Sequence, residues 1–360
     1  MPPARREAIR EITAIIVSWR DAAETLAAVE SLGEARRRIP PGGPRVSLVV
    51  VENDGGTLDR NTLLARWPDA TLLVNDSNRG FGPAVNQAAG IAGGDVLLLL
   101  NPDTRAEAEP FTRIASAFDA NPGAVAIAPR LIDAEEIRSP GSEVPSGSRR
   151  LARPGQEDQF SFQLRRLPRL SDDARELLLF DHLAPNNRGR RRFRYADRDP
   201  EEPLEVEQAA AAALAVRSSV FRAAGGFDES FVPAWFEDVD LSARLIEQGS
   251  ILYWPAARFR HRGGAASEDL GYTRFLPIFY RNAIRYRRRW YPPAARLTFR
   301  ALLAAGMLLR LAVLPFRRRP PRPRKDAAGA YLRTLAVALS LALFPGEGRG
   351  KGGGLDGGRR

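Results

Sequence analysis

Three short stretches of this chain combine side chains that could do chemistry. In DVLLLLNPDT, a run of four leucines stops at Asn101, Pro102 and Asp103. Pro102 cannot continue a hydrogen-bonded ladder, so Asp103 is expected at a strand's carboxyl end, where a carboxylate can hold Mg2+ or Mn2+ against substrate phosphates. The same residues also fit a plain turn, with Asp103 capping the next helix. In AWFEDVDLSARLIEQG, the acids Glu237, Asp238 and Asp240 crowd a helix start beside Trp235 and Phe236. A helix dipole favours acids there, but three acids in four residues next to two large aromatics exceed what capping needs. Repulsion and partial burial would lift a carboxylate toward a useful base, and Asp238 is the candidate to take a proton from an attacking hydroxyl. In NDSNRGFGPAVNQAAG, Gly80 and Gly82 flank Phe81 ahead of a helix opening at Pro83. Such glycines let backbone amides approach an anion, and they fit an ordinary strand-to-helix turn equally well.

These residues need elements to position them. Apolar runs at 12–19, 46–52, 71–74, 96–100 and 124–128 alternate with helical stretches at 22–32, 83–91 and 111–120. That alternation predicts an α/β fold with a mostly parallel sheet and helices on both faces. Ligands of such sheets sit beyond the carboxyl ends of the strands, which selects residues 19–21, 52–55, 75–81 and 101–103. Residues 139–202 lose the pattern, apart from a helical piece near 174–182, and read as an insertion or mobile loop. Order resumes with an alanine-rich run at 206–216, a helix at 239–248 and a last strand at 251–255.

Composition narrows the class. With 360 residues, 44% of them hydrophobic, the chain suffices for one large domain with an added subdomain. The absence of cysteine excludes disulfides, thiolate zinc sites and cysteine nucleophiles, fits a cytoplasmic or cytoplasm-facing protein, and leaves His182 and His261 as the imidazoles. Alone, His261 in RFRHRGG reads as a polar surface residue. A net charge of +11, with arginine clusters at 190–192, 285–289 and 317–319, fits nucleic acid, an anionic membrane or a diphosphate substrate. The basic amino-terminal stretch has too short an apolar part for a signal peptide. Beyond His261 come aromatic and basic residues, with Tyr286, Trp290 and Tyr291 interleaved among arginines, then apolar segments at 301–316 and 330–344. A helix of about 16 residues reaches ~24 Å, short of a ~30 Å hydrocarbon core, so lying on a membrane surface is expected over crossing it. Residues 346–360 are Gly-rich and expected to be disordered.

Taken in order, AIIVSWRDAAETLAAVESL, VVVENDGG, NRGFGPAVNQAAG, LLLLNPDT, GGFDESFVPAWFEDVDLSARLIEQG and RHRGGAAS resemble the family-2 glycosyltransferases with the GT-A (nucleotide-diphospho-sugar, Rossmann-like) fold, in the bacterial rhamnosyltransferase-like branch. The resemblance spans roughly residues 12–289 and implies a catalytic domain at 1–270 with a membrane-associated helical extension at 271–345. It implies a donor site formed by Trp19, Glu52, Asn53, Asp54, Asp76, Asn78, Gly80, Phe81, Asn86 and Asn101, and Mg2+ or Mn2+ at Asp103 and His261. It makes Asp238 the catalytic base, paired with Glu237, and places the acceptor against Trp235, Gln208 and Ala211. Four positions depart from the family pattern: Asn101 replaces the first acid of the DxD metal element, Glu52 stands where Asp is usual, and Gln208 and Ala211 replace a tryptophan and a glycine. The implied reaction is an inverting transfer from a nucleotide sugar, dTDP-rhamnose first and UDP-sugars next, to a glycan or polyprenyl-linked acceptor. It would serve cell-surface polysaccharide synthesis at the cytoplasmic face of the membrane, with the protein bound peripherally and no nucleic acid involved. Two other classes stay open at this point: a catalytically impaired sugar-nucleotide-binding scaffold, suggested by the missing acid, and a basic nucleic-acid-binding protein, which would need neither FEDVDL nor the NPD turn.

Overall fold

The computed structural model describes residues 8–133, 159–263, 270–317 and 323–340. Its first half alternates as the apolar pattern predicts: β1 (Glu11–Ser18), α1 (Ala22–Arg37), β2 (Arg45–Glu52), α2 (Arg60–Arg66), β3 (Thr71–Val74), α3 (Phe81–Ile91) and β4 (Val96–Leu100). A short β5 (Thr104–Glu107) follows, then α4 (Pro110–Ala120) and β6 (Ala124–Asp133). The period-2 geometry of a strand sends alternate β1 side chains to opposite faces. Ile12, Ala14 and Ile16 pack with Val29 and Leu32 of α1 and Phe111 and Phe118 of α4, while Ile15 and Val17 pack with Val85 and Ala88 of α3. Both faces are therefore covered, as a mostly parallel sheet requires.

The segment predicted as a loop is instead helical where it is described: α5 (Gln159–Gln163), β7 (Leu164–Arg165), α6 (Leu170–Leu177), α7 (Phe180–Leu183) and α8 (Arg188–Phe193). The alanine-rich run divides among β8 (Leu204–Val206), β9 (Gln208–Ala209) and β10 (Ala213–Arg217), followed by α9 (Ser218–Ala223), α10 (Glu237–Leu245) and β11 (Ser250–His261). Its last strand is longer than the 251–255 expected, because a bulge between Trp254 and Arg258 re-aims the chain onto β5 instead of ending the strand. Nine strands form one sheet in the order β3-β2-β1-β4-β10-β6-β11-β5, with β8 on β11. Strands β3, β2, β1 and β4 are parallel, and β10 is inserted antiparallel between β4 and β6.

The carboxyl-terminal third forms α11 (Tyr272–Trp290), α12 (Pro293–Val313) and α13 (Arg324–Leu339). These helices build a separate apolar cluster in which Leu276, Leu303 and Tyr331 join Leu177 of α6 and Phe236 ahead of α10. The first apolar segment does not stop at 16 residues: its helix begins at Pro293 and continues through a 3-10 turn to Phe316, 24 residues in all. At 1.5 Å per residue that is about 36 Å, so the length argument against crossing a membrane fails. Residues 341–344 of the second segment, the 346–360 tail, residues 139–158 and the Gly264–Ser267 end of RHRGGAAS lie outside the described residues.

Candidate active site

Register brings the chemistry together. Ser18 stands beside Glu52, Glu52 beside Val74, and Ile16 beside Leu100, so the four parallel strands end along one edge. Past β4, Asn101 donates its backbone N–H to Ala212 O (3.0 Å), and Thr104 closes the NPDT turn by donating Oγ1–H to Asn101 O (2.7 Å). The β5–β11 register sets Thr104 opposite His261, which delivers the imidazole to Asp103 from a distant part of the chain. His261 is 2% exposed and Asp103 9%. Nε2 of His261 lies 3.4 Å from Asp103 Oδ1 and 3.4 Å from Asn101 Nδ2, while Gly263 N–H donates to Asp103 Oδ2 at 3.0 Å. Burial alone pushes the Asp103 carboxyl up; His261 and the Gly263 amide outweigh it, and the group sits below the usual carboxylate range. Among the described residues no three His, Asp or Glu side chains converge. Asp103 and His261 thus suit a hard divalent ion that completes its shell with waters and substrate phosphates, and not an ion caged by protein alone.

The acid cluster divides by role. Asp240 is fully buried and structural: Arg244 Nε donates to it at 2.9 Å and Trp290 Nε1–H at 2.9 Å. Asp238 is half-buried, accepts from Val239 N–H (2.8 Å) and Gln208 Nε2 (3.3 Å), and lies against the Ala211 amide. Burial raises the Asp238 carboxyl above its ordinary value, against the lowering pull of Arg165. Glu237 is raised well above the carboxylate range, by burial first and then by the Asp238 charge, and its Oε2 is buried without a hydrogen-bond partner. Two neighbouring carboxyls both raised, Glu237 the further of the two, form an arrangement in which the surroundings make Asp238 more basic than an ordinary aspartate. Just before the pair, Trp235 (φ 74) and Phe236 (φ 75) both adopt left-handed backbone, an uncommon state for bulky residues. Asn282 of α11 holds that turn, donating Nδ2–H to Ala234 O (2.8 Å) and Trp235 O (3.1 Å). The Trp235 ring packs edge-on against Phe275 of α11, at 4.8 Å between centroids.

The expected donor residues fall into three groups. Trp19, Asp54, Asp76, Asn78 and Asn101 are half-buried or exposed around the strand ends. Glu52, Asn53 and Gly80 are buried. Glu52 is fully buried, and its carboxyl, raised by burial and then by Asp54, accepts from Asp54 N, Thr57 Oγ1 and Leu58 N, so it shapes the loop that presents Asp54. Asn53 is a hub: its Nδ2 donates to Asn78 Oδ1 (3.1 Å) and Gly80 O (3.3 Å), and its Oδ1 accepts from Asn75 Nδ2 (3.0 Å). Gly80 has φ +95, and an added Cβ would meet Pro233 O at 3.1 Å, so glycine is required where the 75–81 loop touches the loop before the base. Phe81 and Asn86 are half-buried and engaged by the loop at 226–229. Phe81 packs on Phe227 (5.7 Å), and the Asn86 amide is consumed by Phe227 N–H (2.8 Å), Phe227 O (2.9 Å) and Glu229 Oε1 (3.0 Å), clamping the GGFDES loop.

Sequence reasoning missed Gln159, Arg165 and Asn282. Gln159 Oε1 lies 3.2 Å from His261 Nδ1, and Phe162 of the same helix stacks on that ring (6.1 Å, 27°). Arg165 is registered opposite Gln208 in the β7–β9 ribbon and acts electrostatically on Asp238. Residues 159–165 thereby link the Asp103–His261 pair to Asp238. No local motif signals them, since their contacts lie more than 30 residues away; an Asn inside the otherwise cationic RNAIRYRRRW was the one visible anomaly. His182 lies apart on α7, its ring lowered by burial and then by Arg310, Arg317 and Arg190.

Residues 13–173 match the family model described as glycosyl transferase family 2. Among solved structures the fold resembles the mannosyltransferase PcManGT from Pyrobaculum calidifontis in complex with GDP-Man and Mn2+, with TM-score 0.50, 13% identity, and coverage of 93% of this chain and 87% of that one. GalNAc-T7 with UDP, GalNAc and Mn2+ gives TM-score 0.47 and 12% identity over 78% of this chain and 48% of that chain. No curated protein sequence matches. Fold and family match define a glycosyltransferase of the GT-A type. The matched region ends before Asp238 and His261, so their roles rest on geometry.

Proposed function

We propose that the protein is an inverting glycosyltransferase that moves a sugar from a nucleoside-diphosphate donor to a hydroxyl of a glycan or polyprenyl-linked acceptor, with dTDP-rhamnose as the expected donor. One observation carries the reading: at the sheet's carboxyl edge the Asp103–His261 pair and the Asp238–Glu237 pair are joined by residues 159–165 and 208–212. Asp103 and His261 would hold Mg2+ or Mn2+, which would supply charge neutralisation to the leaving diphosphate. The loops carrying Trp19, Asp54, Asp76 and Asn78 bind the nucleoside, and the Asp54 carboxyl, held below its ordinary value by the neighbouring Glu52 side chain and then by the Arg20 amide, accepts from Arg20 N–H at 2.6 Å. Asp238 takes the acceptor proton as the hydroxyl attacks the anomeric carbon and the bond to the diphosphate oxygen breaks, inverting the centre. Gln208 and the Ala211 amide hold Asp238 in place, and Trp235 borders the acceptor.

The acceptor and the basic carboxyl third also support a peripheral position on the cytoplasmic membrane face. Helix Pro293–Phe316 is long and apolar enough by composition to cross a membrane, with 28% of its most apolar window buried. Its Gly306 packs on Leu177, and Arg310 donates to Leu177 O (2.5 Å) and Glu176 O (2.9 Å), contacts that favour a helix lying along the interface as part of this domain.

The test is a panel of nucleotide sugars, read by thermal shift and nucleotide release, with and without chelator. Stabilisation by one donor that vanishes with chelator and in Asp103→Ala supports the reading. Release that survives both would remove the metal, and the absence of any donor effect would favour a scaffold.

A further inference from the structure

We propose that Gln159 is a positioning residue that fixes the ring form of His261, so that Nε2 presents a lone pair toward the space beside Asp103. The proposal rests on the metal reading of that pair. Gln159 Oε1 stands 3.2 Å from Nδ1, and an amide oxygen can only accept, so Nδ1 carries the hydrogen. A neutral imidazole holds one N–H, which leaves Nε2 as an acceptor. Nε2 in turn faces Asp103 Oδ1 at 3.4 Å. The other Asp103 oxygen is engaged by Gly263 N–H at 3.0 Å, which leaves Oδ1 for a cation. Gln159 and Phe162 lie three residues apart on α5, so one helical face both accepts from the ring and stacks on it. His261 is 2% exposed, and no bulk water competes for its Nδ1–H. Metal-bound histidines characteristically donate their second N–H to an oxygen, and loss of that partner lowers metal affinity by about 10–100-fold.

The chain holds two histidines, so 15N-histidine labelling of the full protein yields two rings, and His182→Gln assigns them. Long-range proton–nitrogen correlation without metal, at alkaline pH, is expected to show hydrogen on Nδ1 and a lone pair on Nε2. Gln159→Met, of similar length without an acceptor, is expected to shift the ring toward the Nε2–H form. It should also weaken Mn2+ binding about 10–100-fold by electron paramagnetic resonance, and Gln159→Glu should restore both. A wild-type ring with hydrogen on Nε2 overturns the proposal, and so does a Met variant with unchanged ring form and Mn2+ affinity. Should Gln159→Met fail to fold, the wild-type ring form and Gln159→Glu still decide. If wild type binds no Mn2+, the metal reading falls, while the ring spectra alone judge Gln159.

Discussion

At the residue scale, the two neighbouring acids are set apart by environment. Asp238 keeps amide donors and solvent contact; Glu237 is buried with one oxygen unpartnered. Asp238→Asn should lower transfer about 10²–10⁴-fold, while the thermal shift produced by donor stays intact. The Asp238 carboxyl is raised, so activity should be present above that raised value and lost as pH falls through it. The acid limb of kcat/KM then lies above the ~3.9 of an ordinary aspartate, and a limb at or below 3.9 would exclude Asp238 as base. Glu237 carries a related sign. Its folded form holds the proton to higher pH than the unfolded chain, so wild type loses stability as pH rises above ~4.3. Glu237→Gln, neutral throughout, should gain in melting temperature relative to wild type between pH 4 and pH 7. A difference constant over that range would mean that Glu237 is not held neutral.

At the element scale, the unexpected dependency is of the turn before Glu237 on α11. Two left-handed aromatics bring Glu237 and Asp238 to the helix start, and Asn282 supplies the donors that hold their carbonyls. Arg281 adds a bond to Val232 O (2.8 Å), and Arg285 one to Ser230 O. Asn282→Ala leaves two backbone carbonyls without their donor and should destabilise the fold by about 1–3 kcal/mol, read as a lower urea midpoint. Activity should fall with it, and Asn282→Asp, which sets acceptor against acceptor, should be at least as harmful. Wild-type kcat in Asn282→Ala would show that the turn holds itself. The docking of α6 on α11 depends on a second buried contact, where Asp173 pairs with Arg287, whose side chain is 3% exposed. Asp173→Ala strands that guanidinium and should cost about 3–5 kcal/mol by chemical denaturation.

At the scale of the whole molecule, charge and apolar exposure meet on one side. Leu183 is 83% exposed and Phe316 82%, and Arg190, Arg310 and Arg317 all bear on the neighbouring His182. Apolar tips among arginines match the interface of an anionic bilayer. The full chain should co-sediment with vesicles containing phosphatidylglycerol, less with neutral vesicles, and less again as salt rises. Leu183→Glu with Phe316→Glu should weaken binding while leaving hydrolysis of soluble donor unchanged. Resistance to alkaline extraction from membranes would instead favour a crossing helix.

The sequence by itself determined the alternating α/β plan, the edge at which Asp103 and the 75–81 loop emerge, and the acid cluster, because these follow from local periodicity, proline and glycine placement and charge spacing. Tertiary structure alone decided the rest. A bulge in β11 carried His261 to Asp103, the antiparallel β10 brought Ala211 and Ala212 beside Asn101 and Asp238, and packing turned the 159–202 stretch into helices that reach the site. It also diverted Asn86 and Phe81 into clamping a distant loop. The physical reason is common to all of them: each contact joins segments separated by long stretches of chain, where burial and register, which no local spacing encodes, choose the partner.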